Sequence, residues 1–188
     1  TLEQLISRFK IIATGGASRI IISLNSVICA FVIIRWHSSS LWGELVVYLL
    51  LLDFGFSIIA WGSTPYLIRE FSFHPKDIPA SWSKSFNSRV PLVVIFLIVI
   101  FFTPFAPSHK IAQSVWAIAR FVYHSFEPAV QYQRNFYFSL FVEGIALLVL
   151  IIPLIIFSSH VNIHTLILLF TAGMIWKAVA SAIYFRKF

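Results

Sequence analysis

The sequence predicts an all-α membrane protein with six transmembrane helices in one unit covering residues 1–188. Three observations lead there. Of the 188 residues, 59% are hydrophobic and only 11% charged, whereas a soluble domain has about 45–50% apolar and about 25% charged residues. Six continuous apolar segments are each suited to a helix that crosses about 30 Å of hydrocarbon with about 20 residues. Lysine and arginine collect on one side of the layer those segments define, as they do on the cytoplasmic side of membrane proteins. Apolar surface on this scale does not stay dissolved in water, which excludes a cytoplasmic enzyme, a nucleic-acid-binding domain and a disordered tail.

The predicted spans are 11–34, 41–63, 90–106, 111–133, 136–158 and 161–185. The first is too long for the apolar core of a signal peptide and has no small-residue cleavage site behind it. The chain begins at Thr1, which suggests a trimmed start. Pro104 and Pro107 help to end the third span, the shortest; Pro128 and Pro153 fall inside the fourth and fifth, where neighbouring helices can absorb a kink. Continuous apolar runs rather than alternating segments argue against a β-barrel. The segment 64–89 reads as interfacial: Pro79 suits a helix start, and Trp82 and Phe86, four apart, share a face beside Lys84 and Arg89. Trp36, Trp42 and Tyr48 fit one aromatic belt, Trp82 and Tyr184 the other.

Orientation follows from counting bases. Arg8, Lys10, Arg69, Lys76, Lys84, Arg89, Arg134, Arg186 and Lys187 fall on one side, and only Arg35 and Lys110 on the other. Both termini are therefore expected in the cytoplasm. This asymmetry accounts for most of the net charge of +7 without a nucleic acid or other anionic partner. Cys29 is the sole cysteine, so no intrachain disulfide and no cysteine-based metal motif is possible. His160 and His164 are four apart but lack a third ligand, so no metal is expected. With no phosphate loop and no nucleophile motif, the chain is not read as an enzyme, and no cofactor is expected.

Charged groups inside a membrane are expensive and mark function by default. The sharpest pattern lies in the fourth span, where Gln113, Trp116, Arg120, His124, Glu127, Gln131 and Arg134 recur at spacings of three and four. Such a stripe must face protein or water. Either it lines a water-filled cavity, or it is a packed interface in which Arg120 and Glu127 neutralise one another or nearby groups. In the first span Arg19, Ser23 and Ser26 share a face, with Asn25 beside them and Gly15 and Gly16 a turn earlier. Arg19 lies roughly 12 Å into its helix at about 1.5 Å per residue, too deep for easy snorkelling. Its planar fork suits a carboxylate or phosphate, or else a salt bridge to Asp53 of the second span. Asp53 with Ser57, and Asn135, Ser139 and Glu143, form further polar faces. A carboxylate there either carries a proton or coupling cation, or partners Arg19, Arg120 or Lys177. Glu44 is close to an interface and can stay hydrated, and Lys177 can snorkel.

The run GGASRIIISLNS, then WGELVVYLLLLDFG, then GSTPYLIREFSFHP, followed by Arg89 opening the third span, resembles the N-terminal half of polysaccharide-biosynthesis flippases. These form the lipid-linked oligosaccharide branch of the multidrug/oligosaccharidyl-lipid/polysaccharide exporter superfamily. The resemblance implies one lobe of a two-lobed transporter in a bacterial inner membrane. A central cationic cavity would move a polyprenyl-pyrophosphate-linked glycan by alternating access. It implies that Arg19, Arg120, Trp116, His124 and Gln113 contact the substrate. Asp53, Glu127 and Glu143 would balance charge or couple transport to a proton or sodium gradient. Six spans are half of what the family carries, so a second lobe or a second copy is expected as partner, besides membrane lipid. Two other functions compete: ion-coupled export of cationic drugs, which needs a net negative cavity, and a non-transporting membrane scaffold whose polar residues are internal glue.

Overall fold

The computed structural model describes residues 16, 20, 23–156 and 161–186, and these are helical with no strand. The helices are α1 (Ser23–Trp36), α2 (Ser39–Ile59), α3 (Ser63–Phe73), α4 (Ile78–Phe102), α5 (Pro107–Ser125), α6 (Glu127–Tyr132), α7 (Phe136–Ile156) and α8 (Ile163–Tyr184). Four stretches are long and apolar enough to cross a membrane: Ser39–Phe73, Ile78–Phe102, Phe136–Ile156 and Ile163–Tyr184. That fits a multi-pass membrane protein. Of the six predicted spans, 11–34 is described only in its second half. The span 111–133 is divided between α5 and α6, and α5 carries too many polar residues to qualify.

Local chemistry sets the helix ends. Ser38 Oγ accepts the Leu41 N–H at 3.0 Å to open α2, and Asn162 Oδ1 accepts the Thr165 N–H at 2.9 Å to open α8. Asn135, predicted to share a face with Ser139 and Glu143, lies just before α7 and accepts the Phe138 N–H at 3.3 Å. Its position at a helix start uses the side chain as a cap. Between α2 and α3 the chain turns through Gly62 at φ 67°, a left-handed conformation that costs a residue with a Cβ about 1–2 kcal/mol.

The third span begins earlier than its apolar run. α4 starts at Ile78 with Pro79 in its first turn, and runs unbroken to Phe102. Trp82 and Phe86 therefore belong to the same helix as the apolar run. Trp82 stacks on Phe86 and on Phe126, with ring centroids 5.1 and 5.0 Å apart. Arg89 is buried, 7% exposed, and needs no carboxylate among the described residues. Its Nε donates to the Ser85 carbonyl at 3.0 Å, and its two terminal nitrogens donate to Ser63 Oγ and Ser125 Oγ at 3.2 and 3.3 Å. Hydropathy alone misplaces this start because a hydrogen-bonded arginine can sit inside a helix packing surface. Within the same segment α3 is amphipathic: it buries Leu67 and Phe71 and exposes Tyr66, Arg69 and Phe73. Tyr48, predicted in an aromatic belt, is buried in the core.

Three buried clusters hold the bundle. One joins α1, α2, α5, α7 and α8 through residues such as Ile33, Leu45, Leu154 and Leu166. The second joins α2, α4 and α5 around Phe56, Phe96, Ile100 and Trp116. In that cluster Gly55 is required: a methyl built there would overlap the Phe96 ring. The third gathers Phe126, Ala129 and Phe185 with Trp82 and Phe138 at the end where α5 stops. α5 packs most extensively on α8 and touches α4 as well, so the most polar long helix is also the most central. Phe54, Phe101, Phe141 and Ile156 project from the outside of the bundle.

The stop of α5 has a definite cause. Pro128 lacks an N–H and would clash with the carbonyl one turn back. The Ala129 N–H therefore turns to the Phe126 carbonyl, at 3.0 Å. This leaves the Ser125 carbonyl without its helical donor, and the Trp82 indole N–H takes it at 2.7 Å. The neighbouring helix absorbs the break, as expected of a proline in such a bundle.

Candidate substrate cavity

A cavity of about 430 Å³ runs between α1, α2, α5, α7 and α8. Polar residues reach it from all of these directions, including Asn25 and Ser26 of α1, Asp53 of α2, Arg120, Tyr123 and His124 of α5, Ser139 and Glu143 of α7 and Lys177 of α8, with Glu127 from α6. The predicted stripe thus divides. Trp116, Arg120, His124 and Glu127 line this cavity, but Gln113 does not. It is fully buried at 0% exposure, in a separate pocket of about 10 Å³ against Leu45, Tyr48, Leu52, Ile167 and Thr171. Gln131 reaches only as far as Glu127, and Arg134 turns at φ 55° beyond the end of α6. Arg19, and with it the proposed Arg19–Asp53 bridge, lies outside the described residues.

The charges are paired, mostly across helices. Arg120 bonds Asp53 of α2 rather than Glu127. Its guanidinium is also flanked by the Phe56 and Trp116 rings, each with its centroid 4.7 Å away, a geometry in which the π faces attract the cation. Glu127 instead accepts from Gln131 Nε2 at 3.0 Å and meets His124 Nδ1 at 2.9 Å. The proline break explains why the stripe pairs this way, because it sets Glu127 at the start of a new helix.

Glu143 is the most buried carboxylate of the cavity, at 4% exposure. Lys177 Nζ approaches it at 2.7 Å, the Tyr123 hydroxyl at 3.0 Å and Asn25 Nδ2 at 3.5 Å. Three donors on one carboxylate satisfy the lone pairs that burial strips of water. Lys177 therefore does not snorkel; it stitches α8 to α7 from within. Ser57, expected on the same face as Asp53, spends its hydroxyl on the Asp53 carbonyl at 2.7 Å.

Lys177, Tyr123, Asn25 and Ser26 belong to the cavity although none was singled out as a site residue. A signal for Tyr123 was present, since 116, 120, 123 and 127 keep the same three-and-four spacing. Lys177 stood out as a charge within a span and as one possible partner for a carboxylate, but spacing could not say which, because that partner lies on another helix. The described lining holds three carboxylates, Asp53, Glu127 and Glu143, against the two cations Arg120 and Lys177. Leaving His124 aside, the described lining carries one more carboxylate than cations. No family model, curated protein or solved structure matches this chain.

Proposed function

We propose that this chain is the cavity-forming lobe of a membrane transporter that flips a polyprenyl-pyrophosphate-linked oligosaccharide across a bacterial inner membrane. In this reading it works by alternating access with a second lobe or a second copy, and both of its termini are cytoplasmic. The observation that supports it is the composition of the cavity wall: about 430 Å³ lined by an arginine, a lysine, two aromatic rings with polar edges and several amide and hydroxyl groups. Asn25, Ser26 and Ser139 offer hydrogen bonds to sugar hydroxyls. Arg120 and Lys177 supply the cations a pyrophosphate needs, at the cost of loosening them from Asp53 and Glu143.

The test is flipping of a fluorescent lipid-linked oligosaccharide in vesicles containing the protein. Arg120→Gln should lower the rate about tenfold or more, since a lost hydrogen bond to a charged group costs about 1.5–3 kcal/mol. Combining it with Arg19→Gln should abolish flipping. A folded double variant that flips normally sinks the reading.

The excess of carboxylates favours one second reading, export of a cationic solute. Asp53→Asn separates the two. An exporter of cations loses activity with that carboxylate, whereas a flippase keeps it, because Arg120 is then released toward an anion.

A further inference from the structure

Among the described residues several buried polar atoms have no hydrogen-bond partner in the protein, and those of Gln113 and Ser181 flank the cavity at opposite ends of α5. At the end where α5 begins, both the amide nitrogen and the amide oxygen of Gln113 are unpartnered, in a pocket of about 10 Å³. Where α5 stops, the Ser181 hydroxyl, 1% exposed, is unpartnered in a pocket of about 30 Å³. Buried polar groups in proteins are satisfied by protein or by ordered water, and a polar site of about 10–15 Å³ holds one water. Each pocket shares its wall with the cavity: Leu49, Trp116 and Phe170 at the first end, Tyr123, Glu127 and Ser139 at the second.

Beyond Gln113 the polar thread continues. Tyr48, which lines the same pocket, has its hydroxyl 3.0 Å from His109 Nδ1 in the first turn of α5. The His109 ring stacks on that of His164, in the first turn of α8, with centroids 5.4 Å apart. His164 Nδ1 is itself buried without a partner. The neighbouring ionisable groups are Glu44, one turn before Tyr48, and Lys110, whose ammonium is held by the Phe101 carbonyl at 2.9 Å.

We propose that this thread is a hydrated path that carries protons along α5, between the His109–His164 pair and the far end of the cavity. Chains of imidazole, carboxyl and water are how membrane proteins move protons. The step at the histidine end balances without a co-reactant. A proton arriving on Nε2 of His109 releases the Nδ1 proton to the Tyr48 oxygen, while the Tyr48 hydroxyl gives its own proton to the water at Gln113. The tyrosine ends neutral, the imidazole ends neutral in its other tautomer, and the water carries the charge toward the cavity. A half-turn of the imidazole, which brings its remaining N–H to the Tyr48 oxygen, and rotation of the Tyr48 hydroxyl reset the path without further proton transfer. The proposal concerns the proton path itself, and it rests on the transport reading only for the hydrated cavity.

The test uses no cargo, so it fails or succeeds separately from flipping. The full chain is placed in vesicles enclosing a pH-sensitive dye, and a pH step is applied with potassium and valinomycin clamping the potential. Proton entry should exceed that of protein-free vesicles and should be lost about tenfold or more in His109→Phe and in Gln113→Leu. Ser181→Ala should slow it from the other end, while Arg69→Gln on the exposed face of α3 should leave it unchanged. Unfolding midpoints accompany every variant, and if Gln113→Leu does not fold, His109→Phe and Ser181→Ala decide. Wild-type vesicles no leakier to protons than empty ones overturn the proposal, and so does a flux that all three path variants leave intact. Proton flux without any flipping would instead leave the path standing and remove the glycolipid as cargo.

Discussion

At the scale of single residues, the cavity is governed by one rule: a buried charge is tolerable only with a partner. Glu143 and Lys177 make the sharpest case, on facing helices and 2.7 Å apart. Lys177→Met leaves the carboxylate unpaired and should destabilise the protein by about 3–5 kcal/mol, read from unfolding in detergent. Adding Glu143→Gln to it should recover a large part of that loss, and a double variant as unstable as the sum of the singles would show that the pair is not coupled. Periodicity along one helix revealed that Trp116, Arg120, His124 and Glu127 share a direction, because helical spacing is a local property. Which acid meets which base was not legible. Arg120 chose Asp53 over Glu127 through contacts across helices, and Gln113 left the cavity because the packing of α2 and α8 closed over it.

For the helices, the apolar runs announced where chain crosses a hydrophobic layer but not where each helix starts. α4 extends well before its apolar core because Arg89 is satisfied by Ser63, Ser85 and Ser125. That network belongs to three separate segments, so no window of sequence contains it. The contact of α2 with α4 is equally specific. Gly55→Ala should push Phe96 out of place and cost about 1–3 kcal/mol, the usual penalty for an overfilled core, measurable as a lower unfolding midpoint. An unchanged midpoint would mean that the ring swings aside freely. Trp82→Phe keeps the stacking on Phe86 and Phe126 but strips the donor from the Ser125 carbonyl. It should cost about 1–3 kcal/mol, as expected for a buried acceptor left bare.

Considered whole, the described molecule has an apolar outside, an apolar core and one cavity where the polar groups gather. Its single cysteine makes that arrangement easy to read. Cys29 lines the cavity but is buried, at 6% exposure, and can be replaced by serine to give a background free of thiols. In that background a cysteine at Ser139, on the cavity wall, should react with a water-soluble maleimide, since thiolate forms only where water reaches it. A cysteine at Phe54, which is 69% exposed on the outside, should stay unmodified in vesicles while the lipid covers it. The opposite pattern would place lipid in the cavity and water on the flank.

The break between α5 and α6 also has a consequence for descent. Trp82 donates to a carbonyl that lost its helical donor when Pro128 interrupted the helix. A chain that lost the proline would regain the regular helical bond at Ser125, and the indole N–H would then have to share that carbonyl with the helical donor. Substitution at either position therefore changes what is tolerated at the other. Among relatives of this chain, tryptophan at the first position and proline at the second should be inherited or lost together, although the two are far apart in the chain.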